Sequence, residues 1–331
     1  MTAPINLSMA PIHGITDAVY RQAFAQCFSG FDRAVAPFIQ PRQGKPLRSG
    51  DLRQLAPENN RDLRTIPQLL TNHAETFSAA LKELHGLGYD EVNWNMGCPY
   101  PTVADRGRGA GLMPHPDRID SILGQVLNGS PVKLSVKLRL GYNSPDEFIP
   151  VIEVLNRYPL SEVILHPRTA AQMYEGALDL ERARHAMSIC RHPFIFNGEI
   201  RTTEGFQDLR NQFGDAAGWM IGRGAMACPC LPAMLKGSEF PSAENRLIQL
   251  RKFHELLFEG NRQWQSGMSH LMDRMFEQWE YLSMSFADPH RVQRRIIKSR
   301  NLGQYYDAVG WCFEQELVEK LQSDKGTEAQ S

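Results

Sequence analysis

The stretch NWNMGCPYPTVADRGRGAGLM, Asn93 to Met113, sets a single thiol, Cys98, between a glycine and a proline. Beyond it Gly107, Gly109 and Gly111 alternate with Arg106, Arg108 and Ala110. A cysteine that merely packs has apolar neighbours at strand or helix spacing. This one has turn residues and a loop expected to be flexible and partly cationic, so Cys98 reads as a thiol placed for chemistry. Other capable residues end short β-rich runs: Pro11 with Ile12 and His13, Gln68, Asn95, Lys137 with Arg139, His166 with Arg168, Asn197 with Gly198 and Glu199, and Gly222 with Arg223. Gly198, Gly222 and Gly224 let backbone approach a phosphate, and Arg223 adds charge. Lys137 suits an anion developing on a ring, and the amides of Gln68 and Asn95 suit a heterocycle's edge. No H-E-x-x-H, Walker lysine or G-x-S-x-G motif occurs. The set describes an enzyme with a phosphate-bearing cofactor, read as flavin mononucleotide (FMN), and one thiol at its rim.

The elements that must position these groups are eight β-rich runs, at 5–11, 33–38, 64–70, 90–97, 132–141, 162–169, 193–200 and 218–226. Several are apolar throughout, as strands covered on both faces are. Amphipathic stretches at 76–88, 116–129 and 146–158 read as intervening helices. This alternation predicts an α/β fold, a (β/α)8 TIM barrel, which takes about 250 residues and carries its active site where the strands end. A doubly wound sheet lacks its G-x-G-x-x-G after the first run. Past Gly237 strands give way to helical patterns such as AENRLIQLRKFHELLFEGNRQW. The expected organisation is a catalytic barrel over 1–238, a small C-terminal α-helical bundle over 239–323 and a disordered tail over 324–331. The segment 39–64 shows no clear pattern.

A net charge of −1 over 331 residues excludes a molecule that attracts nucleic acid as a whole, though not one with a local basic strip. The sequence shows no apolar run long enough for a membrane span and no secretory start, so a cytoplasmic protein is expected. Six cysteines without a C-x-x-C pair are no disulfide framework. Cys228 and Cys230 would be half of a metal site, but no second half is present and no metal is expected.

The sequence resembles the tRNA-dihydrouridine synthase family over nearly its whole length. The resemblance rests on MAPIHGITD (9–17), NMGCP with GRGAGLM (95–113), VKLRLGY (136–142), LHPRTAAQMYEG (165–176), FNGEI (196–200) and MIGRGAM (220–226). It implies an FMN-binding barrel with a helical tRNA-binding domain, monomeric, in which NADPH reduces FMN and the flavin gives hydride to C6 of a uridine in tRNA. Cys98 matches the cysteine that protonates C5, a task suited to a thiol with a reference pKa near 8.5. Pro11, Ile12, His13, Gln68, Lys137 and His166 match flavin contacts. Asn197, Gly198, Glu199, Gly222 and Arg223 match the phosphate segments. Asn95, Arg139 and Arg168 are expected at the flipped uridine and its phosphates. Arg294, Arg295 and Lys298, with the weaker candidate Arg274, are expected to contact tRNA from the helical domain. Ile12 stands where the family often has methionine, and Pro167 where it commonly has glycine; His13 is unusual beside a flavin. Two other readings are open: a flavoenzyme for free pyrimidines, which the basic helical tail disfavours, and a non-catalytic RNA-binding protein, which Cys98 and Lys137 disfavour.

Overall fold

The computed structural model describes residues 4–319; the expected tail over 324–331 lies outside them. The chain divides into two compact units. One holds the chain up to His13, Asp32–Gly198 and Phe213–Met220; the other holds Gly14–Phe31, Glu199–Gln212 and the chain from Ile221 on.

The first unit is built on a parallel sheet. Its strands are β1 (Leu7–Met9), β2 (Arg33–Val35), β3 (Thr65–Ile66), β4 (Gln68–Leu69), β5 (Glu91–Met96), β6 (Lys133–Gly141), β7 (Val163–Thr169), β8 (Phe194–Asn197) and β9 (Gly218–Ile221). Their order is β3-β2-β1-β9-β8-β7-β6-β5-β4. The two outermost pieces, β3 and β4, are one strand interrupted at Pro67, so the sheet closes into an eight-stranded TIM barrel. β3 pairs with β2 (Val35 opposite Ile66) and β4 with β5 (Gln68 opposite Asn93). Pro67 has no N–H to give a ladder, but its carbonyl accepts from Asn93 N at 2.8 Å.

Ala10, Val35, Ile66, Ile164, Ile195 and Met220 meet in one apolar cluster. Residues on strands spread around the ring can do so only from inside it. At the strand starts, Arg33 pairs with Glu162 and Arg64 with Glu91, while Ser161 donates to Glu91. That is the rim where barrels place stability rather than chemistry. The expected helices form at Ala74–Gly86, Pro116–Val126 and Phe148–Leu155. In the second of these, Pro116 fits the first turn, where a missing N–H costs nothing, and Ile119, Ile122, Leu123 and Val126 make the buried stripe. The unpatterned segment 39–64 holds a helix over Ser49–Leu55 and a short turn over Pro57–Asn59. The last β-rich run is strand only to Ile221; a short helix, Arg223–Ala227, begins after Gly222.

The second unit carries the helices Ala18–Cys27, Thr203–Gln212, Ala243–Trp264, Met268–Leu282, Pro289–Ile297 and Leu302–Cys312. Tyr20 and Phe24 meet the edge of Phe253, and a side chain at Gly260 would place its Cβ 2.6 Å from Val19 Cγ1, so two helices pack at close range. Deeper in, Trp279 Nε1 donates to Tyr305 Oη at 3.0 Å, and Tyr305 lies 2.8 Å from His254 Nε2. Burial lowers His254 to about 3. The ring is therefore neutral, and with its hydrogen on Nδ1 it accepts from the tyrosine hydroxyl.

Candidate active site

Cys98 sits on a turn fixed from both sides. Asn95, near the end of β5, accepts from Gly97 N at 3.0 Å and Cys98 N at 2.9 Å through its Oδ1. The Cys98 carbonyl accepts from Ala110 N at 3.0 Å. Gly109 has φ +55, and a Cβ there would lie 2.8 Å from Cys98 O and 2.9 Å from Cys98 Cβ. Only glycine fits against the cysteine so closely. The loop expected to be flexible is instead a buried single turn, Gly109–Leu112, closed down on the thiol. The apolar neighbours that spacing failed to show come from elsewhere in the chain: Leu70 and Val103, with Phe38 partly buried beside them. Burial pushes the thiol's pKa up, against smaller lowering effects from the Tyr100 backbone, Arg139 and Lys137. Cys98 is thus a protonated acid at neutral pH.

Lys137 stands opposite Asn95 across β5 and β6. Burial lowers its ammonium to about 7, and the Arg139 charge pushes the same way. Among the described residues no carboxylate pairs with it. A buried amine that titrates near neutrality without a counter-charge is one that an anion would charge, which fits the ring of a reduced flavin.

The two rim arginines do something other than expected. Arg139 is 2% exposed and donates to the carbonyls of Gly97 (3.1 Å), Thr169 (2.8 Å) and Met173 (2.5 Å). Arg168, also 2% exposed, donates twice to Gly176 O, at 3.1 and 2.5 Å, and approaches His166 Nε2 at 3.3 Å. Their planar forks satisfy the backbone of the loop after β7. Tyr174 in that loop is exposed, under the Arg139 guanidinium at 5.2 Å.

Pro11 and Ile12 are partly buried after β1, and exposed His13 has its ring 5.1 Å from Phe38. Gln68 is buried and bonded to both Asn93 and Asn95. Asn197 Nδ2 donates to Met220 O at 2.9 Å, and Leu178 takes the space a side chain would need at Gly198. In the second unit, Glu199 has φ +37 and lies 3.7 Å from Arg223, whose helix Gly222 caps. Arg274 pairs with Asp17 at 2.5 Å and Glu277 at 3.0 Å with its side chain 15% exposed, so its charge is already matched. Arg294, Arg295 and Lys298 are exposed. Val292 and Ile296 bury the opposite face of that helix, and Arg291 and Arg295 lie over Trp311. Cys228 and Cys230 touch sulfur to sulfur at 3.2 Å, and no group of three metal-binding side chains exists among the described residues.

The protein-family model for dihydrouridine synthase (Dus) matches residues 8–292, which takes in the Cys98 turn, Lys137 and the basic helix up to Val292. The chain belongs to the dihydrouridine synthase family. Among curated relatives, a probable tRNA-dihydrouridine synthase of Rhodobacter capsulatus is 28% identical over 76% of this chain and 77% of its own length. A tRNA-dihydrouridine(16) synthase of Pseudomonas putida is 26% identical over 82% of this chain and 84% of its own. Its counterpart from Salmonella typhimurium is 28% identical over 87% and 93%. Among solved structures, an old yellow enzyme homologue from Zymomonas mobilis aligns with a TM-score of 0.52 at 13% identity over 73% of this chain and 95% of that one, a likeness of fold.

Two side chains of this dihydrouridine synthase site escaped the sequence reading, Asn93 and Ser135. The signal was present: N-x-N on β5 and S-x-K on β6 put polar residues at period two inside otherwise apolar strands.

Proposed function

We propose that this family member reduces the C5–C6 double bond of a uridine in tRNA, with Cys98 as the acid that protonates C5. The observation that carries this reading is a buried, protonated thiol at the end of β5 on the same barrel wall as an ammonium without a counter-charge. FMN, when bound, supplies hydride to C6, and NADPH restores its reduced state. Lys137 holds the anionic side of the flavin ring, with Gln68, His166, Pro11, Ile12 and His13 around it. Asn197, Gly198, Glu199, Gly222 and Arg223 take phosphate roles on the strength of family resemblance. Cys98 loses its proton to C5 and recovers one from solvent, which balances the addition of hydride and proton across one double bond.

Arg294, Arg295 and Lys298 contact tRNA phosphates. Asn95 faces the uridine, while Arg139 and Arg168 shape the loop over it. The helical tRNA-binding part takes over after residue 238, and the protein works as a cytoplasmic monomer. No helix among the described residues is long and apolar enough to cross a membrane. Several relatives are named for uridine 16, which makes that position the first to assay. The test is incubation of undermodified tRNA with the purified protein, FMN and NADPH, followed by mass mapping of dihydrouridine. A product at one D-loop position supports the reading; an unchanged tRNA from a protein that takes up no FMN overturns it.

A further inference from the structure

Four buried side chains form a hydrogen-bonded chain beneath Cys98. Asn95 Nδ2 lies 2.9 Å from Gln68 Oε1, Gln68 Nε2 lies 2.7 Å from Asn93 Oδ1, and Asn93 Nδ2 lies 2.9 Å from Ser135 Oγ. Ser135 Oγ reaches Val92 O at 3.5 Å. Ser135 and Asn93 are 0% exposed, Gln68 is 1% and Asn95 8%. Strand register brings them together: Gln68 lies opposite Asn93, Asn93 opposite Ser135, and Asn95 opposite Lys137.

The direction of every bond follows from one fixed end. The partners of Asn95 Oδ1 are the N–H groups of Gly97 and Cys98, which can only donate, so that atom must be the oxygen. Asn95 Nδ2 then donates, Gln68 must accept with Oε1 and donate with Nε2, and Asn93 must accept with Oδ1 and donate to Ser135. The serine hydrogen ends on a backbone carbonyl. No amide in the series can turn over without breaking two bonds in a buried site, where each unmet group is costly. One N–H of Asn95 remains for the reacting side, and the two Oδ1 bonds hold the turn that aims Cys98.

We propose that Asn93 and Ser135 are positioning residues for uridine reduction, acting through Gln68 and Asn95 to fix the turn that carries Cys98. This rests on the proposed function above. Asn93→Leu removes both the acceptor for Gln68 and the donor to Ser135. Asn93→Asp, kept protonated by burial, retains an acceptor for Gln68 and a hydrogen for Ser135, so the relay keeps its direction.

The test separates two half-reactions and adds a thiol readout. FMN-loaded protein reduced with dithionite is mixed with undermodified tRNA, and flavin reoxidation is followed by absorbance. Alkylation of Cys98 by iodoacetamide is followed in parallel by peptide mass. For Asn93→Leu the reoxidation rate should fall about tenfold or more, with FMN retained, reduction by NADPH within about threefold, and the Cys98 alkylation rate altered severalfold. Asn93→Asp should stay within about threefold of the unaltered protein. Equal rates and equal alkylation in Asn93→Leu overturn the inference. So does a parallel loss of flavin and of both half-reactions in Asn93→Leu and Asn93→Asp alike, which is what a purely structural role gives. If the unaltered protein never passes electrons to tRNA, the functional reading has failed, and the alkylation comparison alone decides whether Asn93 governs the Cys98 turn.

Discussion

Arg139 Nε donates to the carbonyl oxygen of Gly97 at 3.1 Å, tying a buried cation to the turn whose next residue is Cys98. The same guanidinium serves the carbonyls of Thr169 and Met173. Arg139→Met would leave three acceptors unmet, so a loss of at least about 2 kcal/mol in stability is expected, seen as a lower urea midpoint. Arg139→Lys should recover little of it, because an ammonium lacks the planar fork. A midpoint unmoved by either change would show the bonds to be dispensable.

Cys98→Ala should lower the rate of dihydrouridine formation by about 10²–10⁴-fold, the range for loss of a positioned acid, while FMN stays bound. Single-turnover mass analysis of the tRNA measures the first and the visible spectrum the second. Undiminished turnover would assign the proton to another group.

Lys137 should make flavin binding depend on pH. In the free protein its ammonium gives up a proton near pH 7, while an anionic ligand favours the charged form and raises that pKa. Above about pH 7 binding must therefore take up a proton, and affinity for reduced FMN should fall as pH rises. Below it the lysine is already charged and the dependence should flatten. Calorimetry in two buffers of different ionisation heat measures the uptake, and Lys137→Met should abolish it.

At the opposite rim, burial raises the Glu162 carboxyl even with Arg33 beside it. A carboxyl raised above its unfolded value costs stability as pH climbs through the interval between the two, because the unfolded chain ionises first. Arg33→Met should cost about 3–5 kcal/mol near neutrality by leaving that carboxylate unpaired, with part regained on acidification. Adding Glu162→Leu should restore most of the loss. Thermal melts across pH would reveal it, and two independent, additive losses would contradict the pairing.

Replacing Arg294, Arg295 and Lys298 by glutamine should weaken tRNA binding and reduce the slope of log K against log salt by about 2–3. Arg274→Ala should leave that slope alone and instead lower stability, since Arg274 is matched by Asp17 and Glu277. Filter binding over a salt series distinguishes the two outcomes. A slope unchanged by the triple replacement removes this helix from the RNA surface.

The strand ends were legible because parallel strands here are largely apolar before the rim, so Asn95, Lys137 and His166 stand out against Val92, Leu134 and Leu165. Arg139 and Arg168 were harder to place. An arginine at a strand end reads the same whether it faces a ligand or the carbonyls of a loop, and here those carbonyls belong to Gly97 and to residues 169–176, whose path no local pattern dictates. Glycine near Cys98 was read as freedom, whereas Gly109 is needed for closeness, a distinction that depends on what lies opposite. The grouping of Ala18–Cys27 with Ala243–Trp264 was likewise invisible, since residues more than two hundred positions apart share no periodicity.

Around Pro67 the strand is held from both sides: Ile66 and Gln68 accept from Ala36 N and Ile39 N, and Pro67 itself accepts from Asn93 N. The same stretch carries Gln68, the link that joins Asn95 to Asn93 in the amide relay. Closure of the cylinder and completion of the relay from Ser135 to Asn95 therefore depend on the same strand pairing.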